Sequence, residues 1–346
     1  MRISVITPVH DGGDAFRACL AGLAACAPPA HELIVVVDGG SDGAAALSTA
    51  AGAKVIELPA TIGPARARNI GAAEAAGDVL LFIDADVVVP PNLVGRVAAH
   101  LQAGAALAAV IGSYDDAPAD PGFLSQYRNL LHHYVHQTSH EEASTFWSGC
   151  GAIRRAVFLD EGGFNGGFSD PSIEDIEFGY RLRRAGHRVR LAKDLQVTHL
   201  KRWTPLSLLR TEVFARAVPW TRLIIRSRVL PNDLNVRTSS RASVALVFML
   251  AAALAAAPWT WWGAAAAILP GLGLLVLNAG FYRFLWRVRG PFFMLAAVPW
   301  HWLYYACAGI GFVIGAAQEL AGRPASVRPV AVEPEDSRAR QAVGSR

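Results

Sequence analysis

The chain has 346 residues, 53% hydrophobic and 17% charged, with a formal net charge of +4 and a mean hydropathy of +0.30. That average is too apolar for one soluble domain. The modest charge, with no basic patch interleaved with aromatics, argues against a nucleic-acid partner, and the spacing of Cys19, Cys26, Cys150 and Cys307 suits neither zinc nor a disulfide framework, so buried thiols in a reducing compartment are expected.

Residues 2–9 (RISVITPV) read as a strand rather than a signal peptide, closed by Pro8 and the loop at 10–13. Asp14 can cap a helix reaching about Cys26, and Pro28-Pro29 stop it. A second strand at 33–37 ends in Asp38 and a run of glycines; strand, helix, strand at this spacing is a βαβ unit and implies a parallel sheet. The glycines lack the G-x-G-x-x-G spacing of a dinucleotide site, and a carboxylate at the strand tip suits a base or a ribose instead. After a third strand at 54–58, Gly63-Pro64 opens a helix to about Ala76. Arg66 and Arg68 fall in its early turns, where the helix dipole disfavours cations. An anionic partner is expected for them, either a diphosphate or the aspartates at neighbouring strand tips.

The apolar run 79–83 leads straight into Asp84-Ala85-Asp86, which reads as a buried central strand with two carboxylates at its carboxyl end, where open α/β sheets collect ligands. The two acids repel each other unless a cation compensates. Oxygen ligands of this kind suit Mg2+ or Mn2+ bridging the phosphates of a nucleotide; an ordinary loop is the alternative.

Taken together, Val5-Ile6-Thr7-Pro8-Val9, the Asp38-Gly39 tip, Ala67-Arg68-Asn69-Ile70-Gly71 and Asp84-Ala85-Asp86 resemble, in order and spacing, the N-terminal half of a family 2 glycosyltransferase. The resemblance spans residues 1–203 and implies the GT-A fold, a Rossmann-like mixed α/β sheet. It implies a nucleotide-sugar donor held by Pro8, Val9, Asp38, Arg68, Asp84 and Asp86. It also implies Mg2+ or Mn2+ held chiefly by Asp86, with Asp84 and His199 assisting. Two departures stand out: Val37 replaces the first of the usual paired acids at the second strand tip, and His10 and Asp11 replace the usual aromatic and asparagine.

Residues 123–137 read as a helix carrying His132, His133 and His136, a surface or hydrogen-bonding set rather than a metal site. The stretch 145–155 (TFWSGCGAIRR) resembles the acceptor-side wall of that family, with Gly149 and with Trp147 as a platform for sugar or lipid, or else a core residue. Glu174 and Asp175 sit in the first turn of a helix at 172–182, where the dipole favours acids. The resemblance makes them its Glu-Asp catalytic motif, with Asp175 the general base. Lys201, Arg202 and Trp203 partly resemble the Q-x-x-R-W run of processive members, but the Gln is missing and polymerisation is not implied.

Residues 205–228 are amphipathic, and Pro219 is expected to split them into two helices that lie in the headgroup region or, alternatively, pack on the domain in the ordinary way. No Asp, Glu, Lys or Arg occurs in 242–282 or in 290–318. The first tract can hold two spans divided by the PWTWW at 258–262, and the second one span. Arginines before 242 and at 283–289 place the N-terminal part and the 283–289 loop on the cytoplasmic side. A third full span would carry an arginine-containing tail outside, so the last tract reads equally as re-entrant or interfacial. The expected organisation is a catalytic domain at 1–203, a juxtamembrane segment at 204–241, two or three membrane helices at 242–318 and a polar, disordered tail at 319–346.

The expected activity is inverting, metal-dependent transfer of a sugar to a hydroxyl of a lipid, lipid-linked or envelope-glycan acceptor at the cytoplasmic membrane face. A nucleotidyltransferase would normally carry a basic glycine-rich loop where this chain has HDGGD. A catalytically silent sugar-nucleotide binder is the other alternative.

Overall fold

The computed structural model describes residues 1–104, 106–168 and 170–322. Most of the expected tail therefore lies outside the described residues. Strands β1 (Ile3–Val9), β2 (Glu32–Asp38), β3 (Lys54–Leu58), β4 (Val79–Ile83), β5 (Val87–Val88), β6 (Leu107–Tyr114), β7 (Cys150–Arg154) and β8 (Arg188–His199) form one sheet in the order β3-β2-β1-β4-β7-β6-β8-β5. The first four are mutually parallel, β7 runs antiparallel to both β4 and β6, and β8 pairs parallel with β6 and antiparallel with β5.

Helices cover both faces, which explains why the central strands read as unbroken apolar runs. Val79, Leu81 and Ile83 point into one core with Val35, Val37 and helices α1 (Gly13–Ala24), α2 (Ala44–Ala50) and, through Leu93 and Val97, a later helix. Leu80 and Phe82 point into the other, beside α3 (Pro64–Ala73). Phe82 heads an aromatic cluster with Phe146, Phe158, Phe164 and Phe178 in which ring centroids lie 5.1–6.2 Å apart. Helices α4 (Leu93–Ala103), α5 (Phe123–Thr138), α6 (Arg155–Asp160) and α7 (Glu174–Arg184) complete the domain.

The segment after β8 departs from expectation. Helix α8 (Pro205–Arg210) runs through a π-helical stretch (Thr211–Ala217) into α9 (Val218–Ser227), so the irregularity precedes Pro219 instead of breaking the helix there. Proline has no N–H for the carbonyl four residues back. That carbonyl, on Ala215, instead accepts a hydrogen bond from the Ser172 hydroxyl at 2.9 Å.

Helices α10 (Thr238–Ala256) and α11 (Trp261–Leu277) form a hairpin whose turn falls at the PWTWW, with Thr260 capping α11. Helix α12 (Ala279–Arg289) bends 62° away from α11, and α13 (Pro291–Leu320) follows. By length and composition, α10 and α13 could each cross a membrane, as could α11 and α12 taken as one bent span. Both ends of α13 nevertheless lie against the N-terminal domain and its appended helix. Arg289, just before it, donates to the Asp116 carbonyl and to Gln126, while Glu319, at its far end, accepts from Arg222 and Arg226 of α9.

Candidate active site

The site forms where four elements end. Asp84 and Asp86 follow β4, Tyr114 closes β6, His199 closes β8, and the first turn of α7 brings Glu174 and Asp175. Together with Trp147 and Ser148 they border a cavity of about 220 Å³.

Arg68 is the charge at its floor. The guanidinium, 6% exposed, donates to Asp84 Oδ1 at 2.6 Å and to Glu174 Oε1 at 3.0 Å. Of the two partners foreseen for it, the strand-tip aspartate is the one it holds here. The rest of its motif is structural: Asn69 exchanges two hydrogen bonds with the Phe164 backbone, and a Cβ on Gly71 would come within 2.6 Å of Ile6, so only glycine lets α3 pack this closely on the sheet. Glu174 accepts from Arg68 through Oε1 and from the Ser172 amide through Oε2. In this structure Glu174, expected in the catalytic motif, ties Arg68 to the start of α7.

Asp175 is set differently. Its Oδ2 accepts from the amide and hydroxyl of Ser148 at 3.2 and 3.4 Å, and its Oδ1 from the Ile176 amide. Burial, then the neighbouring Glu174 carboxylate, push its carboxyl up to about 7, against the opposing pull of Ser148 and Arg68. A carboxylate balanced near neutrality inside a cavity suits a general base.

Asp86 lies 3.5 Å from His199 Nε2. Burial works against its charge, but the hydrogen bond to His199 and the charges of His199 and Lys201 hold its carboxyl below the ordinary range. Among the described residues no three His, Cys, Asp or Glu side chains stand grouped around one cation position. In this arrangement Arg68 takes one Asp84 oxygen and His199 pairs with Asp86, so the expected set of Asp84, Asp86 and His199 is not gathered around one point. The donor set still fits a hard cation, because Asp86 keeps an oxygen-rich, partly exposed carboxylate and a diphosphate could supply the remaining oxygens.

An aromatic wall completes the cavity. His199 stacks on Tyr114 at 4.1 Å, and Trp147 meets Tyr114 edge-on at 4.9 Å while touching His132 and His136. A Cβ on Gly149 would lie 2.7 Å from the Trp147 ring, so this glycine makes room for the platform. Burial above all lowers His136 to about 4 and His132 well below its usual range, which keeps both rings neutral. His133 points elsewhere, bonding the Tyr114 carbonyl and stacking on Phe284. Four buried polar atoms of lining residues have no hydrogen-bond partner in the protein: Arg68 Nε, Asn129 Oδ1, His132 Nδ1 and Trp203 Nε1. Unpaired groups in such a place await a polar ligand. Tyr114 and Asn129 escaped the sequence reading; the apolar run at 107–114 was the available signal for the first.

The expected donor residues Pro8, Val9 and Asp38 lie outside this cavity's lining. Val9 faces the core, leaving only its backbone for a ligand. Asp38, buried, accepts the Ile62 and Gly63 amides at 2.7 and 2.9 Å. In this structure it anchors the loop before α3 rather than presenting a free carboxylate to a base. All four cysteines are free and buried, and burial with nearby acid pushes Cys19 and Cys150 up to about 12, so neither is a nucleophile near neutral pH.

Residues 4–161 match the family model described as glycosyl transferase family 2. They form a family 2 glycosyltransferase domain. Over 96 residues the chain is 33% identical to the uncharacterized glycosyltransferase YibD of Escherichia coli (strain K12), covering 27% of this chain and 28% of that protein. The mannosyltransferase PcManGT from Pyrobaculum calidifontis, solved in complex with GDP-Man and Mn2+, aligns at TM-score 0.51 and 16% identity over 93% of this chain and 88% of its own. TarS 1-349 of S. aureus in complex with UDP-GlcNAc aligns at TM-score 0.52 and 15% identity, over 96% and 98% of the two chains. At such identities the likeness is one of fold, and that fold is GT-A.

Proposed function

We propose that the protein transfers a glycosyl group from a nucleotide-sugar donor to a hydroxyl of a membrane-associated acceptor, with inversion at the anomeric carbon. The observation that carries this is Asp175, held by Ser148 with its carboxyl near 7 in the same cavity as Asp86 and His199. Asp175 takes the acceptor proton as the new bond to the anomeric carbon forms and the bond to the diphosphate oxygen breaks. Glu174 is paired with Arg68 and Asp86 is the carboxylate left to the cation, so on this reading Asp175 has the single role of base in a direct displacement. Mg2+ or Mn2+ at Asp86, when bound, supplies positive charge to the leaving diphosphate. Arg68 contributes a fixed positive charge from below.

The α10–α11 hairpin enters the cytoplasmic membrane, and α13 lies in the plane of its surface. In support, the middle of α13 meets the base of the hairpin, where Tyr305 and Ser243 both bond Asn278, while its ends touch α9 and the catalytic domain. Thermal stabilisation by UDP-, GDP- and dTDP-sugars with and without Mn2+ tests the donor site. One nucleotide class should stabilise the protein in a metal-dependent way, and Asp86→Asn should abolish the metal dependence. Asp175→Asn should keep that stabilisation and lose roughly 10²–10⁴-fold in turnover. Unchanged turnover in Asp175→Asn, or no response to any donor, would overturn the reading.

A further inference from the structure

A second cavity, of about 460 Å³, lies between α9, α10 and α13, within the roughly 300–1,000 Å³ typical of ligand pockets. Its walls are mainly apolar, with Ile224 and Leu230 on one side and Val244, Ala308 and Phe312 on the other. It meets the catalytic cavity at three side chains common to both linings: Arg216, Trp220 and Asn235. Trp220 is fixed there by donating to the Tyr180 hydroxyl of α7 at 3.0 Å. Arg216 brings a cation to the junction: its neighbour Glu212 lies 3.9 Å away and is already held by Arg128 at 2.6 Å.

We propose that this cavity receives the hydrocarbon chain of the acceptor, a lipid whose hydroxylated head reaches past Arg216 and Asn235 to Asp175. The assignment rests on the glycosyl-transfer reading of the first cavity and names its acceptor class. Continuity selects the occupant: one end of the pocket shares residues with the cavity that holds Asp175, while α10 and α13, which wall the other side, are helices apolar enough for a membrane. A soluble oligosaccharide would leave the apolar walls uncovered, whereas a hydrocarbon chain buries them and leaves the polar side chains at the margins, Arg216 and Asn235 at the junction and Ser240 and Arg241 beside α10, to water and the headgroup.

The test uses the full chain in phospholipid nanodiscs with a 1-monoacylglycerol carrying a diazirine near the end of its chain, crosslinked and mapped by peptide mass spectrometry. Labelling should include the peptides around Ile224 and Ala308. Ala308→Trp should reduce it roughly tenfold, the factor given by about 1.4 kcal/mol of lost affinity. Labelling at Leu269, exposed on the hairpin, should not change, and stabilisation by donor and Mn2+ should persist. Val244→Trp, filling the pocket from the opposite helix, should act alike and guards against a folding defect in the first variant. Equal labelling of wild type and both variants overturns the chain site even where donor stabilisation is intact. Absence of donor stabilisation in the wild type would sink the transferase reading instead, so the two failures are distinguishable.

Discussion

Arg68 and Asp175 set the protonation state of the site between them. With the Asp175 carboxyl near 7, kcat/KM should rise about tenfold per pH unit up to that value and then level. Arg68 lowers that pKa, so Arg68→Gln should move the acid limb to higher pH, while Arg68→Lys, which keeps the charge, should leave it nearly in place. Arg68→Gln also strands Glu174 and Asp84 and should cost roughly 3–5 kcal/mol of stability. For Asp175 itself the folded-state pKa is raised above the unfolded value. Its neutral form favours the fold at low pH, and that contribution is lost as pH rises through about 7. Asp175→Asn should therefore gain more in melting temperature at pH 8 than at pH 4 while turnover is lost. The residue types of this site were legible in the chain: Arg68, Asp84, Asp86, Glu174 and Asp175 all reach one cluster. Their division of labour was not, because spacing cannot tell that the Arg68 guanidinium lies within 3.0 Å of two different acids.

The appended helix is tied to the catalytic domain by two unlike contacts. Glu212 in the π-helical stretch meets Arg128 of α5 with both side chains 7% exposed. Ser172, beside the catalytic turn, meets the Ala215 carbonyl that Pro219 leaves free. Removing one partner of a buried ion pair leaves an uncompensated charge, so Glu212→Ala should cost roughly 3–5 kcal/mol. Ser172→Ala, which removes one neutral hydrogen bond, should cost about 1 kcal/mol. Denaturation midpoints of the detergent-purified variants check the order, and equal losses would contradict it. Hydrophobic periodicity had located the amphipathic segment correctly, but not its π-helical stretch. That outcome depends on Ser172, more than forty residues earlier, being at hand to bond the freed carbonyl.

Across the whole molecule, the arrangement of α13 decides on which side its last turn lies. A 30-residue helix is about 45 Å long, enough to cross a bilayer, yet Arg289 and Glu319 bind its two ends to the same body. Ala321→Cys, at the exposed end of α13, should then be modified by a membrane-impermeant thiol reagent only from the side on which Asp160→Cys in the catalytic domain is modified. Labelling of the two from opposite sides would show that α13 crosses instead.

What the sequence determined by itself was whatever depends on local pattern: the βαβ order, the buried strands announced by apolar runs, the family motifs, and the charge-free tracts that form the C-terminal helices. These follow from periodicity and composition over a few turns. Tertiary structure alone decided which acids Arg68 holds, that Asp38 secures a loop, that His132 and His136 but not His133 face the cavity, and that an apolar pocket shares Arg216, Trp220 and Asn235 with the cavity of Asp175. Each depends on side chains distant in the chain coming within a few ångströms, where desolvation and pairing outweigh what any residue prefers alone.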